Sequence, residues 1–436
     1  SGNLVNAKLP SFILIILAAG LLAFAAAWGG HSPRAVASSG ALTSEVPPGV
    51  RFVSVALGGF RGLLADILWV RAASLQEEGK FFEVAQLSDW ITRLEPRYPE
   101  VWAYHAWNMA YNITAVVADP ADRWHWIKNG IRLLRDEGIP SNPSSPKLFW
   151  ELGWMFYDKV GGRWDENTLY YRIAWAGEIT QLLGGGLADY PVMEKQKQAA
   201  QALAAVGLKL EVMKVLDGTY GPLDWRLPET HSMYWGYRGR TLAARDAVWC
   251  ERLVWMALAE TVKGGALVYL PAQRRYQRGP RLDVAIKTIR TCVEAKPATD
   301  SLVSLAKIAF LREAALYLYA FQRPVEAEVA LQQLKREKAA EVTGDLTLEV
   351  FIQKDVSDRL TGLDRARKER LVVDQLVRSD IWRRLEMPAF ADGYAQLARL
   401  YWTAFSGAAG TDKDWLNLQT IAQERSLQEM PPVVNP

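Results

Sequence analysis

The alternation of apolar and polar positions divides the chain into three regimes. Residues 9–30, LPSFILIILAAGLLAFAAAWGG, carry no charge, and a helix of about 20 apolar residues spans the hydrocarbon core of a bilayer. Residues 31–50, HSPRAVASSGALTSEVPPGV, are small and polar with a Pro-Pro pair near their end, and read as a linker. From residue 51 onward apolar residues recur at three- and four-residue spacing, which is the period of an amphipathic helix. Alternating β-branched runs are nearly absent, and no segment reads as a strand. Pro and Gly punctuate the pattern at Gly79, Pro96, Pro99, Pro120, Pro146, Gly184, Pro228, Pro280 and Pro324, cutting it into short helices joined by brief breaks. The expectation is an all-α chain of stacked helical hairpins. It divides into a tail (1–8), the apolar segment (9–30), the linker (31–50), N-terminal hairpins (51–190), further hairpins (191–345), and C-terminal helices with an extended tail (346–436).

Spacing within the hairpins sharpens this picture. Counting from residue 65, Leu68, Ala72, Leu75, Gly79, Val84, Ile91 and Pro96 fall at places 4, 8, 11, 15, 20, 27 and 32. Starting again at Pro99, Trp102, Ala106 and Met109 fall at places 4, 8 and 11. From Pro146, Phe149, Leu152, Gly153 and Phe156 take places 4, 7, 8 and 11, after an insertion around ITAVVADPADRW in which Asp119 caps a helix and Pro120 fills its first turn. A later unit over 308–341 sets Leu311, Ala315, Leu318, Ala327, Leu331 and Leu334 in the same frame. A small residue at place 8 lets three helices approach, and large ones at 4 and 11 fill the neighbouring holes. This pattern resembles the tetratricopeptide repeat. The resemblance implies an α-solenoid whose concave surface binds other proteins or peptides.

Two readings of residues 9–30 compete. Small-residue sites at Ala23-Phe24-Ala25 and Ala35-Val36-Ala37 would suit a cleaved secretory signal. A chain opening Ser-Gly-Asn looks like a native start with its methionine trimmed, which favours a retained anchor. Lys8 and Arg34 flank the segment and give the positive-inside rule little to act on. A short tail before the helix and a large domain after it is the usual signal-anchor arrangement. The expectation is therefore a single-pass protein of the bacterial inner membrane with its soluble part in the periplasm.

Composition narrows the function. Hydrophobic residues make up 50% and charged residues 23%, as in ordinary folded chains. A net charge of +3 lacks the basic footprint of a nucleic-acid binder. Four histidines leave little material for a histidine-rich metal site. HExxH, a phosphate loop ending GK[ST], GxSxG and EF-hand motifs are all missing from the sequence. Cys250 and Cys292 lack metal or redox spacing and read either as two buried thiols or as one disulfide. The 18 tryptophans point to extensive helix–helix or protein–protein contact.

Candidate residues follow from those aromatics. Trp102, Tyr104, Trp107 and Tyr111 lie on one helix of the array and supply contact residues wherever they face away from the core. His105 among them reads as a satisfied core histidine. Trp124 and Trp126, with His125 between, suggest an exposed aromatic rim. The stretch 222–240, PLDWRLPETHSMYWGYRGR, adds Trp225, His231 and Trp235 and is the best place to look for chemistry. A His–carboxylate pair made from Asp224, Glu229 and His231 would suit acid–base work; the plainer reading is a helix opened by Pro228 and Glu229, held by ion pairs. The charge-dense run 351–383 reads as a solvated helical face, or else as an electrostatic docking surface. The sequence thus leads to a membrane-anchored scaffold or accessory subunit of a cell-envelope complex, binding integral-membrane protein partners and, through 9–30, the bilayer. The rival is an all-α enzyme or ligand-binding protein with its site at Asp224, Glu229 and His231. No nucleic acid, cofactor or metal is expected, and in the scaffold reading no catalytic residue.

Overall fold

The computed structural model describes residues 48–162, 164–195, 197–270, 275–294, 299–337, 346–406 and 411–430. The apolar segment 9–30 lies outside these residues. Among the described residues no helix is long and apolar enough to cross a membrane. The chain divides into two compact units after Gly58. Of the first, the described part is the helical stretch 48–58.

Among the described residues the second unit is all-α apart from one hairpin. In chain order its helices are α1 (Pro48–Glu77, which begins in the first unit), α2 (Phe81–Leu94), α3 (Pro99–Trp107), α4 (Pro120–Arg132), α5 (Pro146–Trp154), α6 (Thr168–Leu183), α7 (Tyr190–Lys195), α8 (Lys197–Ala205), α9 (Leu210–Thr219), α10 (Pro228–Arg240) and α11 (Ala247–Gly264). After the hairpin come α12 (Leu282–Glu294), α13 (Ser301–Ala320), α14 (Pro324–Arg336), α15 (Leu348–Leu360), α16 (Arg365–Arg384), α17 (Pro388–Ser406) and α18 (Asp412–Glu429). Proline takes the first turn of α3, α4, α5, α10 and α14, where its missing N–H costs nothing. The Asp119 carboxylate caps α4 by accepting from the backbone of Ala121 and Asp122 at 2.8 and 3.0 Å. Gly184 ends α6 in the left-handed conformation, its N–H returned to Thr180 O.

Three helices change pitch. α3 runs on through a π-helical stretch, Asn108–Ile113, into Thr114–Val116; α4 does so through Leu133–Gly138 into Ile139–Ser141; α5 ends in one, Met155–Val160. Such stretches are rare and frequently sit at functional sites.

Packing links helices that are distant in sequence. α5 packs on both α10 and α11, α11 packs on α13, and α13 on α14 and α17. One large core runs from Trp102 to Leu397, with smaller ones around Val372–Val377 and around Ala65, Ile91 and Val101. The small residues picked out by spacing, Ala72, Ala106, Gly153 and Ala315, are all buried. At Gly153 a Cβ would lie 2.7 Å from Leu253 Cδ2 and 3.2 Å from Ser232 O, so α5, α10 and α11 approach closely there and a larger residue would have to push Leu253 aside. Together these observations establish a mostly helical protein of many packed helices.

Three expectations need correction. Residues 266–270 and 275–279 form an antiparallel hairpin, β1 (Ala266–Leu270) and β2 (Arg275–Gly279), with Tyr269 opposite Tyr276. Its strands are too short for alternation to stand out, and it is held from outside: Arg226 donates to Leu267 O at 2.8 Å, and Arg278 donates to Gly264 O at 2.7 Å. The run 351–383 is not simply a solvated face. Asp355 is buried and accepts from both Arg312 (2.5 Å) and Arg359 (2.7 Å), and Arg359 also reaches Glu313 at 2.8 Å. His105 is buried, but among the described residues no donor or acceptor meets either ring nitrogen; burial lowers its pKa to about 4. Both cysteines are free and buried. Burial pushes Cys250 up to about 12 and Cys292 up to about 11, and the Cys250 thiol lies 3.3 Å from Pro146 O, at the start of α5.

Candidate functional site

The stretch 222–240 turns inward. Asp224 holds Arg226 through two bonds of 2.9 and 2.6 Å. Glu229, buried, accepts from Arg278 at 2.8 Å; burial raises its pKa, but the guanidinium charges of Arg278 and Arg172 outweigh that and hold it below the ordinary carboxylate value. His231 Nε2 meets the carbonyl of Trp225 at 2.7 Å. Only a protonated Nε2 can make that bond, and burial lowers the ring's pKa to about 4, so the neutral tautomer is fixed. Its ring is packed between Phe156 (5.0 Å) and Trp175 (4.7 Å). The hydrogen-bond partner of His231 is thus a backbone carbonyl; Asp224 pairs with Arg226 and Glu229 Oε1 with Arg278, while no described donor reaches Glu229 Oε2.

The predicted contact residues separate into two groups. Trp102, Trp124, Trp225, His231 and Trp235 are buried, which removes them from any contact surface. Each fills a place in the core: Trp102 donates to Pro96 O at 2.9 Å, Trp124 stacks on Tyr171, and Trp235 lies against Phe149 and Tyr234. Tyr104 is half-buried against Trp69. Trp126 is half-buried, edge-on to the exposed Phe82. Trp107 is 42% exposed and stacks on the half-buried Tyr111 with ring centres 4.2 Å apart and planes within 16°.

That pair belongs to a larger surface. On α5 and its π-helical end, Trp150 stacks on Trp154 at 5.5 Å, and Trp154 meets Tyr157 at 5.6 Å. The Tyr111 hydroxyl donates to Asp158 Oδ2 at 3.1 Å, tying the two aromatic rows together where both helices are π-helical. Burial, then the Asp158 charge, push the phenol's pKa upward. Next to Trp150 in the chain, Glu151 is buried, and no donor among the described residues reaches its Oε2. Burial raises its pKa to about 7, with Lys147 pulling the other way. A cavity of about 310 Å³ opens beside it, lined by Lys147, Trp150, Glu151, Asp246 and Trp249.

Sequence reasoning found Trp107 and Tyr111 but missed Trp150, Glu151, Trp154, Tyr157 and Trp249. A signal was present for three of them. With Phe149, Leu152 and Phe156 assigned to the core face of α5, Trp150, Trp154 and Tyr157 fall at helical spacing on another face. A second cavity, about 330 Å³, is lined by charged side chains, but these are largely paired with one another: Lys263 with Glu260 (2.6 Å), Arg425 with Asp374 (2.6 Å). Among the described residues no group of three His, Cys, Asp or Glu is placed to hold a metal. No protein-family model, curated protein or solved structure matches the chain.

Proposed function

We propose that this chain is a membrane-anchored helical scaffold, an accessory subunit of a complex in the bacterial inner membrane, and that it binds a protein partner through the aromatic face of Trp107, Tyr111, Trp150 and Trp154. Residues 9–30 supply the anchor, and the helical part, a tetratricopeptide-like solenoid, lies in the periplasm. The observation that carries the reading is the pair of stacked aromatic rows on adjoining helices, partly open to solvent. Rigid aromatics contribute much contact area at low conformational cost and dominate binding hot spots. A second open stripe supports it: Phe60, Leu63, Ile67 and Val70 on α1 are each more than half exposed, at the spacing of one helix face. Contiguous exposed apolar surface on a folded protein marks an interaction site.

The test is extraction of the native protein in mild detergent, followed by sizing and mass spectrometry of whatever co-purifies in stoichiometric amount. The scaffold reading expects a defined integral-membrane partner, and Trp107→Ala together with Trp154→Ala weakening its binding at least about tenfold while the fold persists. A protein that runs alone, or a partner retained undiminished by the double variant, would remove the reading.

A further inference from the structure

The cavity between α5 and the start of α11 is made of two indoles, two carboxyls and one ammonium. Its single cation, Lys147, also approaches Glu100, with Nζ 3.9 Å from Oε1, and it makes no described hydrogen bond to Glu151. Glu151 is 9% exposed, and no donor of the described residues reaches its Oε2. A buried carboxyl without a donor is costly, and Glu151, unlike Glu229, whose other oxygen is held by Arg278, has no described hydrogen bond and lines an open cavity through which one can be supplied. The walls select its chemistry. Indole faces attract a cation through their quadrupole, and a carboxylate binds a charged donor about twice as strongly as a neutral one. Trp249, 40% exposed, leaves the approach open.

We propose that this cavity binds an organic cation, an ammonium or guanidinium on an alkyl stem, with its head group on Glu151 and its stem between Trp150 and Trp249. The inference goes beyond the scaffold reading and stands without it, because the same chemistry arrives either on a free small amine or on a lysine or arginine side chain of another protein. The groups facing Glu151 are Lys147 from its own helix, Asp246 at the start of α11, and Tyr111, whose hydroxyl is held by Asp158. Because burial holds the Glu151 carboxyl at a pKa of about 7, a cation must displace its proton below that pH, and binding strengthens about tenfold between pH 6 and pH 8.

The experiment is calorimetric titration of the full chain in detergent with agmatine at both pH values. Parallel titrations use a blocked Gly-Gly-Arg-Gly-Gly peptide and glucose. The expected result is saturable agmatine binding at one site, tighter at pH 8, reduced at least tenfold in Glu151→Gln and without its pH dependence there. Trp249→Ala, an exposed position outside the core, weakens binding as well and carries the test if Glu151→Gln does not fold. Tighter binding of agmatine than of the peptide identifies a small amine as the natural occupant; tighter binding of the peptide identifies a protein side chain. No saturable heat with either cation, equal binding in both variants, or binding of glucose in their place overturns the proposal.

Discussion

Residues 222–240 and residues 99–160 contain the same materials: tryptophans, tyrosines, one or two histidines, carboxylates and arginines or lysines. The structure uses them in opposite ways. In the first stretch Asp224, Glu229 and His231 each have a fixed partner, and Trp225 and Trp235 are buried beneath them. In the second, Trp107 is open, and Trp150 and Trp154 are half-open. Residue type therefore says little about which region is left open to solvent. What separates them is exposure: Trp225 and Trp235 are closed into the core while Trp107, Trp150 and Trp154 keep open surface, and a buried carboxylate oxygen without a described donor occurs in both stretches, on Glu229 and on Glu151.

Substitutions can break or sharpen this contrast. The largest effect belongs to Trp225→Ala, which empties a fully buried indole site and costs about 3–5 kcal/mol by the usual measure of core truncation; urea unfolding followed by far-UV circular dichroism measures it. Next comes pH. His105 and His231 have folded pKa values lowered to about 4 from 6.5. Their neutral forms stabilise the fold, and that stability is complete above pH 6.5 and lost as pH falls through 4. Glu151 has the opposite sign. Its folded pKa is raised from 4.5 to about 7, so its contribution is complete below pH 4.5 and lost as pH rises through 7. A shift of that size is worth roughly 3 kcal/mol at most. Glu151→Gln is expected to be more stable than the parent at pH 8 and to match it near pH 4.5, a crossing visible in melting curves taken at the two pH values. A constant difference at both would remove the buried-carboxyl account. The smallest effect is that of Trp107→Ala, expected to change stability by less than about 1 kcal/mol, as for a surface position. If it cost as much as Trp225→Ala, the two regions would not differ as described.

The sequence made a good deal of this legible. Prolines 99, 120, 146 and 228 open helices, Asp119 caps one, and Gly184 closes another. Those signals are local, and local signals survive into the fold. Ala72, Ala106, Gly153 and Ala315 were identified as close-approach positions from spacing alone, and they are buried. What escaped was set by distant partners. The hairpin of β1 and β2 is fastened by Arg226 and Arg278 to neighbours in the fold, and neither bond leaves a trace in five residues of strand. π-Helical pitch at Asn108–Ile113 has no local signature either. At the candidate site, Trp107 and Tyr111 could be read from one helix. Trp249 could not, because the cavity exists only where α5 and α11 pack together. Trp102 and Trp107 show the remaining difficulty: they sit on the same helix, one buried and one open.

One small contact has a practical consequence. Cys250 follows Trp249 in the chain, and its thiol lies against Pro146 O at the root of α5. Buried, and with its pKa pushed up to about 12, it holds almost no thiolate at neutral pH, and the thiolate is the reactive form. Its Sγ also lies close to Gly239 of α10, so a thiol reagent can reach it only when the packing of α5, α10 and α11 opens. The rate of its labelling is a clock for the opening of the seam beneath the aromatic face, and a ligand seated between Trp150 and Trp249 would slow that clock. Cys292, on α12, keeps time for a different part of the molecule, so the ratio of the two rates separates a local breath at the cavity from unfolding of the whole.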